Sequence, residues 1–136
     1  MPRHARTHRR PEPPRPRPLP ATAPATVTRA LFRAATLLGM QQRDVAAVIG
    51  TSPATASRLA NGRGALAPDD KPGQLALLLL RVYRSLDAVV GGDAAALRAW
   101  FHADNLHLGG VPAELVARPE GLARVAEYLD AVRQRI

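Results

Sequence analysis

Residues Gln42 to Asn61 read QRDVAAVIGTSPATASRLAN, and the order of small, apolar, glycine and capping residues within them decides the fold. With Gly50 as the turn residue, Val45, Ala46 and Ile49 precede it by five, four and one positions, while Ala56 and Leu59 follow by six and nine. That spacing predicts two short helices crossing steeply, as in a helix-turn-helix. Ala46 is small where the helices touch, Gly50 can take the positive φ that a sharp turn needs, and Ile49, Ala56 and Leu59 face the core. Ser52 is placed to N-cap the second helix. Pro53 stands at its first position, where the missing N–H would have had no helical partner. The second helix then runs from Pro53 to about Ala60. Its outward face carries Ser52, Ala54, Thr55, Ser57, Arg58 and Asn61, with Arg63 in the turn beyond. Short polar and small side chains around one arginine suit a groove of double-stranded DNA. The same spacing also fits an ordinary αα-hairpin, so the motif alone leaves that reading open.

Outward from this stretch, the 136 residues have room for one compact domain, or for two small helical lobes sharing a core. The chain has no cysteine, which removes disulfides, thiolate metal sites and thiol nucleophiles and suits a cytoplasmic location. The longest apolar run, Leu75 to Leu80, ends at Arg81, far short of the ~20 residues that span a bilayer. The N-terminal arginines lack the apolar stretch of a secretory signal. Their acid-poor setting is similar to a transit peptide, but the proline density opposes the amphipathic helix such a peptide needs.

Charge is unevenly placed. Residues 1 to 25 hold six arginines and one glutamate, and residues 26 to 66 hold five arginines and one aspartate. Residues 67 to 136 hold seven arginines, one lysine and nine acids. The net charge of +8 therefore belongs to the N-terminal half, where a polyanion would be met.

Residues 1 to 25 contain eight of the thirteen prolines and one large aliphatic residue, Leu19, so they predict a disordered, locally polyproline-II arm. Such an arm either grips phosphates beside the recognition helix or is a solvated tail. A helix is expected from about Thr26 to Gly39, with Val27, Ala30, Leu31, Ala34, Leu37 and Leu38 inward. It completes, with Gln41–Ile49 and Pro53–Ala60, a helix-turn-helix lobe over 26–66. Residues 67–92 read as a linker followed by a long helix from Gly73 to Val90, too apolar for a surface helix and the best candidate for a homodimer contact. Residues 93–136 form a further helical lobe. Asp93 caps its first helix, whose Trp100 and Phe101 read as core anchors. Pro112 opens a one-turn helix, and Pro119 opens a last helix with the stripe Leu122, Val125, Leu129, Val132 and Ile136. There is no β-alternation, and the expected fold is all-α.

Nothing converges into an active site. Asp69-Asp70 is a carboxylate pair in a turn without a histidine near it in sequence. Gly109-Gly110 lacks the strand and the Lys-Ser/Thr of a phosphate loop. His102 reads as a surface residue and His107 as a loop hydrogen-bonder. No enzyme, metal or cofactor is expected.

The run Trp100, Asn105, Leu108-Gly109-Gly110, Pro112, Leu115, Gly121, Val125 and Leu129 resembles the toxin-binding domain of the Xre/MbcA/ParS antitoxin family, whose members also carry an N-terminal Xre-like helix-turn-helix. The resemblance covers residues 28 to 136. It implies an antitoxin that neutralises a RES-domain toxin, an NAD⁺-consuming enzyme, and that represses its own operon by binding operator DNA. The retained loop and the arginines at the end of the last amphipathic helix place the expected toxin contacts at Asn105, His107, Leu108, Gly109, Gly110, Pro112, Tyr128, Arg133 and Arg135, with the last helix blocking the toxin cleft and the Asn105 to Pro112 loop as a second contact. Pro112 follows Gly110 more closely than in the family pattern, and the sequence stops at Ile136 where members often carry a few more residues with a glycine. Two competing readings are a stand-alone dimeric helix-turn-helix transcriptional regulator and a small adaptor that has lost DNA binding.

Overall fold

The computed structural model describes residues 23–136, which form seven helices. In order these are α1 (Pro24–Leu37), α2 (Gln42–Ile49), α3 (Pro53–Ala60), α4 (Lys71–Val89), α5 (Ala94–His102), α6 (Pro112–Leu115) and α7 (Pro119–Arg133). No strand occurs among these residues, and a single bridge joins Asn105 to Gly110. The all-α expectation holds.

The helix starts follow local chemistry. At α3 the Ser52 hydroxyl accepts the Thr55 N–H at 3.1 Å, and at α5 the Asp93 carboxylate accepts the N–H groups of Ala95 and Ala96, both at 3.0 Å. Helix α2 starts one residue later than expected because Gln41 is its N-cap. The Asp44 carboxylate reaches back to the Gln41 N–H at 2.8 Å. Helix α1 starts earlier than Thr26, with Pro24 at its first position, so the expected arm boundary at residue 25 falls inside the helix. Residues 1–22 of that arm lie outside the described residues.

One continuous cluster of buried side chains joins all the long helices. It includes Leu31 and Leu38 of α1, Val45 and Ile49 of α2, Leu79, Val82 and Leu86 of α4, Leu97 and Phe101 of α5, and Leu122, Val125 and Leu129 of α7. Burying each large aliphatic or phenylalanine side chain contributes about 1.5–3 kcal/mol. Helix α4 is the shared element, meeting α1, α2, α5 and α7, which explains why its sequence is apolar on more than one side.

Three expectations change here. The apolar face of α4, read as a dimer contact, is mostly filled from within the chain, leaving Leu77 as its exposed aliphatic residue. The stripe of α7, whose covering the sequence leaves open, packs chiefly on α4, and it ends before Ile136, which is 76% exposed. Of the two expected aromatic anchors, Phe101 is fully buried but Trp100 is only half-buried. Their neighbouring positions on α5 point 100° apart, so Phe101 enters the common core while Trp100 lies at its edge.

Polar side chains fasten the helices at specific places. Arg81 and Ser85 of α4 clasp Asp130 of α7: the Arg81 Nε–H donates at 2.6 Å, a second guanidinium nitrogen forms an ion pair, and the Ser85 hydroxyl donates at 2.7 Å. Those donations, the Arg81 one first, hold the Asp130 carboxyl below its ordinary range. Arg98 donates to the Thr36 carbonyl at 3.0 Å, and the His102 ring Nε2 lies 2.8 Å from the Leu38 carbonyl oxygen. These carbonyls lie at the C-terminal end of α1, where helical partners run out. His102 is thus a tether between α5 and α1 as well as a surface residue.

Candidate functional site

The turn between α2 and α3 is made by Gly50, at φ 73° and ψ 35°, a left-handed conformation in which a side chain would be strained. Val45, Ala46, Ile49, Ala56 and Leu59 are buried beneath the pair, as the spacing predicted, and Val48 is buried with them. On the outside, Ser52, Ala54, Arg58, Asn61 and Arg63 are exposed, while Thr55 and Ser57 are half-buried. The α3 face is internally ordered. The Arg58 guanidinium donates to the Thr55 hydroxyl at 3.2 Å, and the Ser52 hydroxyl donates to the same oxygen at 3.0 Å. The Thr51 hydroxyl, in the turn, is buried without a hydrogen-bond partner.

The segment after α3 is pinned from a distance. Arg63 donates its N–H to the Arg58 carbonyl at 2.8 Å, and the Leu66 N–H donates to the buried Thr28 hydroxyl of α1 at 2.9 Å. Thr28 in turn donates to the Pro24 carbonyl at 2.7 Å. The turn carrying Asn61 and Arg63 is therefore held against α1, which no local pattern foretold. Arg29 of α1 lines the same hollow as Ala60, Gly62 and Gly64, adding a cation beside the end of α3 that sequence reading missed. Among the described residues, Arg29, Arg33, Arg43, Arg58 and Arg63 form no ion pair, and the lobe's one acid, Asp44, is engaged at the α2 N-terminus. Arg58 and Arg63, with Arg29 beside the end of α3, leave unneutralised guanidiniums next to a polar helix face, an arrangement electrostatically suited to a phosphate backbone.

The second candidate surface lies on the loop between α5 and α6. Asn105 closes it: its N–H donates to the Gly110 carbonyl at 2.9 Å, and its own carbonyl accepts from Gly109 at 2.9 Å and Gly110 at 3.2 Å. Its side-chain oxygen accepts the Leu108 N–H at 3.1 Å, and Arg124 of α7 donates to the Leu108 carbonyl at 3.2 Å. Leu108 is 3% exposed and Pro112 is buried, so these two expected contact residues support the loop from below instead of facing a partner. Gly121, part of the same motif, lies so close to the Leu115 carbonyl oxygen that an added Cβ would collide with it. Between Asn105 and Pro112 the exposed residues are Leu106, His107 and Gly109. The His107 ring stacks on Tyr128 at 6.0 Å, and Tyr128 stacks on Trp100 at 6.3 Å. His107 and Tyr128 are thus brought together. Arg133 and Arg135 stand exposed at and beyond the end of α7, outside its packed stripe.

Among the described residues, no three histidine or acidic side chains converge as metal ligands, and no helix is long and apolar enough to cross a membrane. A helix-turn-helix with an open cationic face, whose core runs on into a second helical unit, defines a DNA-binding protein with an appended interaction surface. Comparison with protein families specifies it further. Residues 17–81 match the antitoxin Xre-like helix-turn-helix domain, and residues 85–135 match the antitoxin Xre/MbcA/ParS C-terminal toxin-binding domain. Side by side and in this order, the two matched segments have the architecture of the Xre/MbcA/ParS-type antitoxins. No curated protein matches it. The first match begins within the stretch read as arm, so the helix-turn-helix pattern reaches nine residues N-terminal of Thr26, to Arg17.

Proposed function

We propose that this antitoxin binds and neutralises a RES-domain, NAD⁺-consuming toxin and represses its own operon as a dimer on operator DNA. The observation that carries this reading is the matched pair of domains, DNA-binding and toxin-binding, in one chain and around one core. Operator contact falls to Ser52, Ala54, Thr55, Ser57, Arg58, Asn61 and Arg63, with Arg29 beside them. Toxin contact falls to His107, Gly109 and Tyr128, with Arg133 and Arg135 at the chain's end. The buried state of the α7 stripe removes the last helix as a free plug. A blocking role then rests on the loop first and on the arginine end of α7 second.

The test is to express the adjoining gene with and without this chain and to score growth. Toxicity relieved by the chain, together with NAD⁺ loss in its absence, is the expected result. A neighbouring product that leaves NAD⁺ unchanged would remove the RES assignment. Absence of any binding between the two proteins would leave a stand-alone regulator.

A further inference from the structure

Leu106 is 94% exposed, while Leu108 in the same loop is 3% exposed. Flexibility does not account for the difference. Leu106 sits inside the ring of hydrogen bonds that Asn105 makes with Leu108, Gly109 and Gly110, and Arg124 braces that ring from α7. The chain thus holds a large aliphatic side chain out in water on a stiff support, where it does nothing for folding. Its sequence neighbour His107 begins a column of rings, stacked through Tyr128 to Trp100, with interplanar angles of 25° and 15°. Trp100 and Tyr128 are each half-buried, so the column forms part of the surface. A protruding aliphatic residue beside partly exposed tryptophan and tyrosine has the composition from which interface anchors are built. Because the loop is already closed, little ordering cost would be added when a partner covers it.

We propose that Leu106 is the anchor by which this chain seats its toxin, entering an apolar pocket on the toxin while the Trp100–Tyr128–His107 column packs against the pocket's rim. This rests on the toxin-binding reading above, and the residues involved all lie inside the matched toxin-binding segment, 85–135. The pocket is apolar and sized for one aliphatic side chain.

The experiment uses the full chain and the purified product of the adjoining gene, with affinity read by titration and the oligomeric state of the free chain by light scattering. Leu106→Asp and Leu106→Ala are compared with the parent. Both should keep the parent's melting temperature and operator affinity, since the residue contacts no core. Leu106→Asp should weaken toxin binding about a hundredfold or more, and Leu106→Ala about tenfold. His107→Ala should weaken it by a smaller factor. If the parent binds and Leu106→Asp binds within threefold of it, the anchor is wrong while the antitoxin reading stands. A parent that does not bind sinks both. A variant that instead converts a dimeric free chain to monomer would show Leu106 to be a self-association contact, and would overturn the proposal.

Discussion

Arg58 leaves α3 on its outer face with the guanidinium steadied by the Thr55 hydroxyl, and it is the one charged side chain on that helix. A pre-oriented fork of this kind can hold both acceptors of a guanine edge. Arg58→Ala should cost about 1–3 kcal/mol of operator affinity at fixed salt and relax specificity at one base position. Unchanged affinity and unchanged ranking of operator variants would remove Arg58 from the reading face. The same turn holds a second test. The Thr51 hydroxyl is buried and unpartnered, and such a group carries a desolvation penalty that an isosteric methyl avoids. Thr51→Val is expected to raise unfolding stability by about 1 kcal/mol in urea titrations. A loss of that size would mean the hydroxyl has a partner in solution. Ser52, Pro53 and Gly50 were legible in the sequence because each acts within a turn of its own position: a cap, a first-turn proline and a positive φ. Thr28 was not legible, since its hydrogen bond to Leu66 spans 38 residues and no local rule anticipates it.

At the scale of elements, the pairing of α4 with α7 binds the C-terminal half to the DNA-binding half. Sequence periodicity identified the stripe on α7 but not what would cover it, because a stripe records that a face is buried and not by which helix. The placement of Trp100 failed for a related reason: aromatic content marked a core, while the adjacent Phe101 took the buried position. Since Leu122, Val125 and Leu129 fill the common core, removing residues 122–136 should unfold more than the toxin-binding half. Loss of cooperative melting in that truncation is expected, and a folded remnant over 26–90 would contradict the shared core. The Asp130 clasp gives a pH signature with a definite sign. Its folded carboxyl titrates below the unfolded value of about 3.9, so its stabilisation is present above that pH and is lost as pH falls through the folded pKa. Asp130→Asn should therefore be less stable than the parent at pH 7, with the gap narrowing below about pH 4. A gap constant from pH 7 to pH 3 would show that the ion pair with Arg81 contributes nothing.

For the whole molecule, the decisive quantity is how much operator a single chain can read. One α3 face offers few base contacts, so useful discrimination needs two copies on half-sites about one helical turn, roughly 34 Å, apart. Most of α4 is already occupied within the chain, so such a pair would form through smaller exposed patches, of which Leu37 and Leu77 are the aliphatic members on the described helices. A contact of that kind is weak in free solution and strengthened on DNA, where two adjacent half-sites raise the effective concentration of one copy for the other. The expected result is a free chain that is partly monomeric at micromolar concentration by light scattering and a two-to-one complex on a two-half-site operator. A complex that stays one-to-one would refute the dimer. The arm acts on the same complex in a different way. Residues 1–16 hold five arginines and lie outside the matched helix-turn-helix segment, so deleting them leaves that segment whole while removing five phosphate-seeking charges from each copy. If those charges meet the backbone, the slope of log affinity against log salt should flatten in the shortened chain, with the ranking of operator variants preserved, because phosphate contacts carry no base information. Equal slopes for the two chains would make the arm a bystander. A changed ranking would instead place its arginines in a groove, where width and base edges are read.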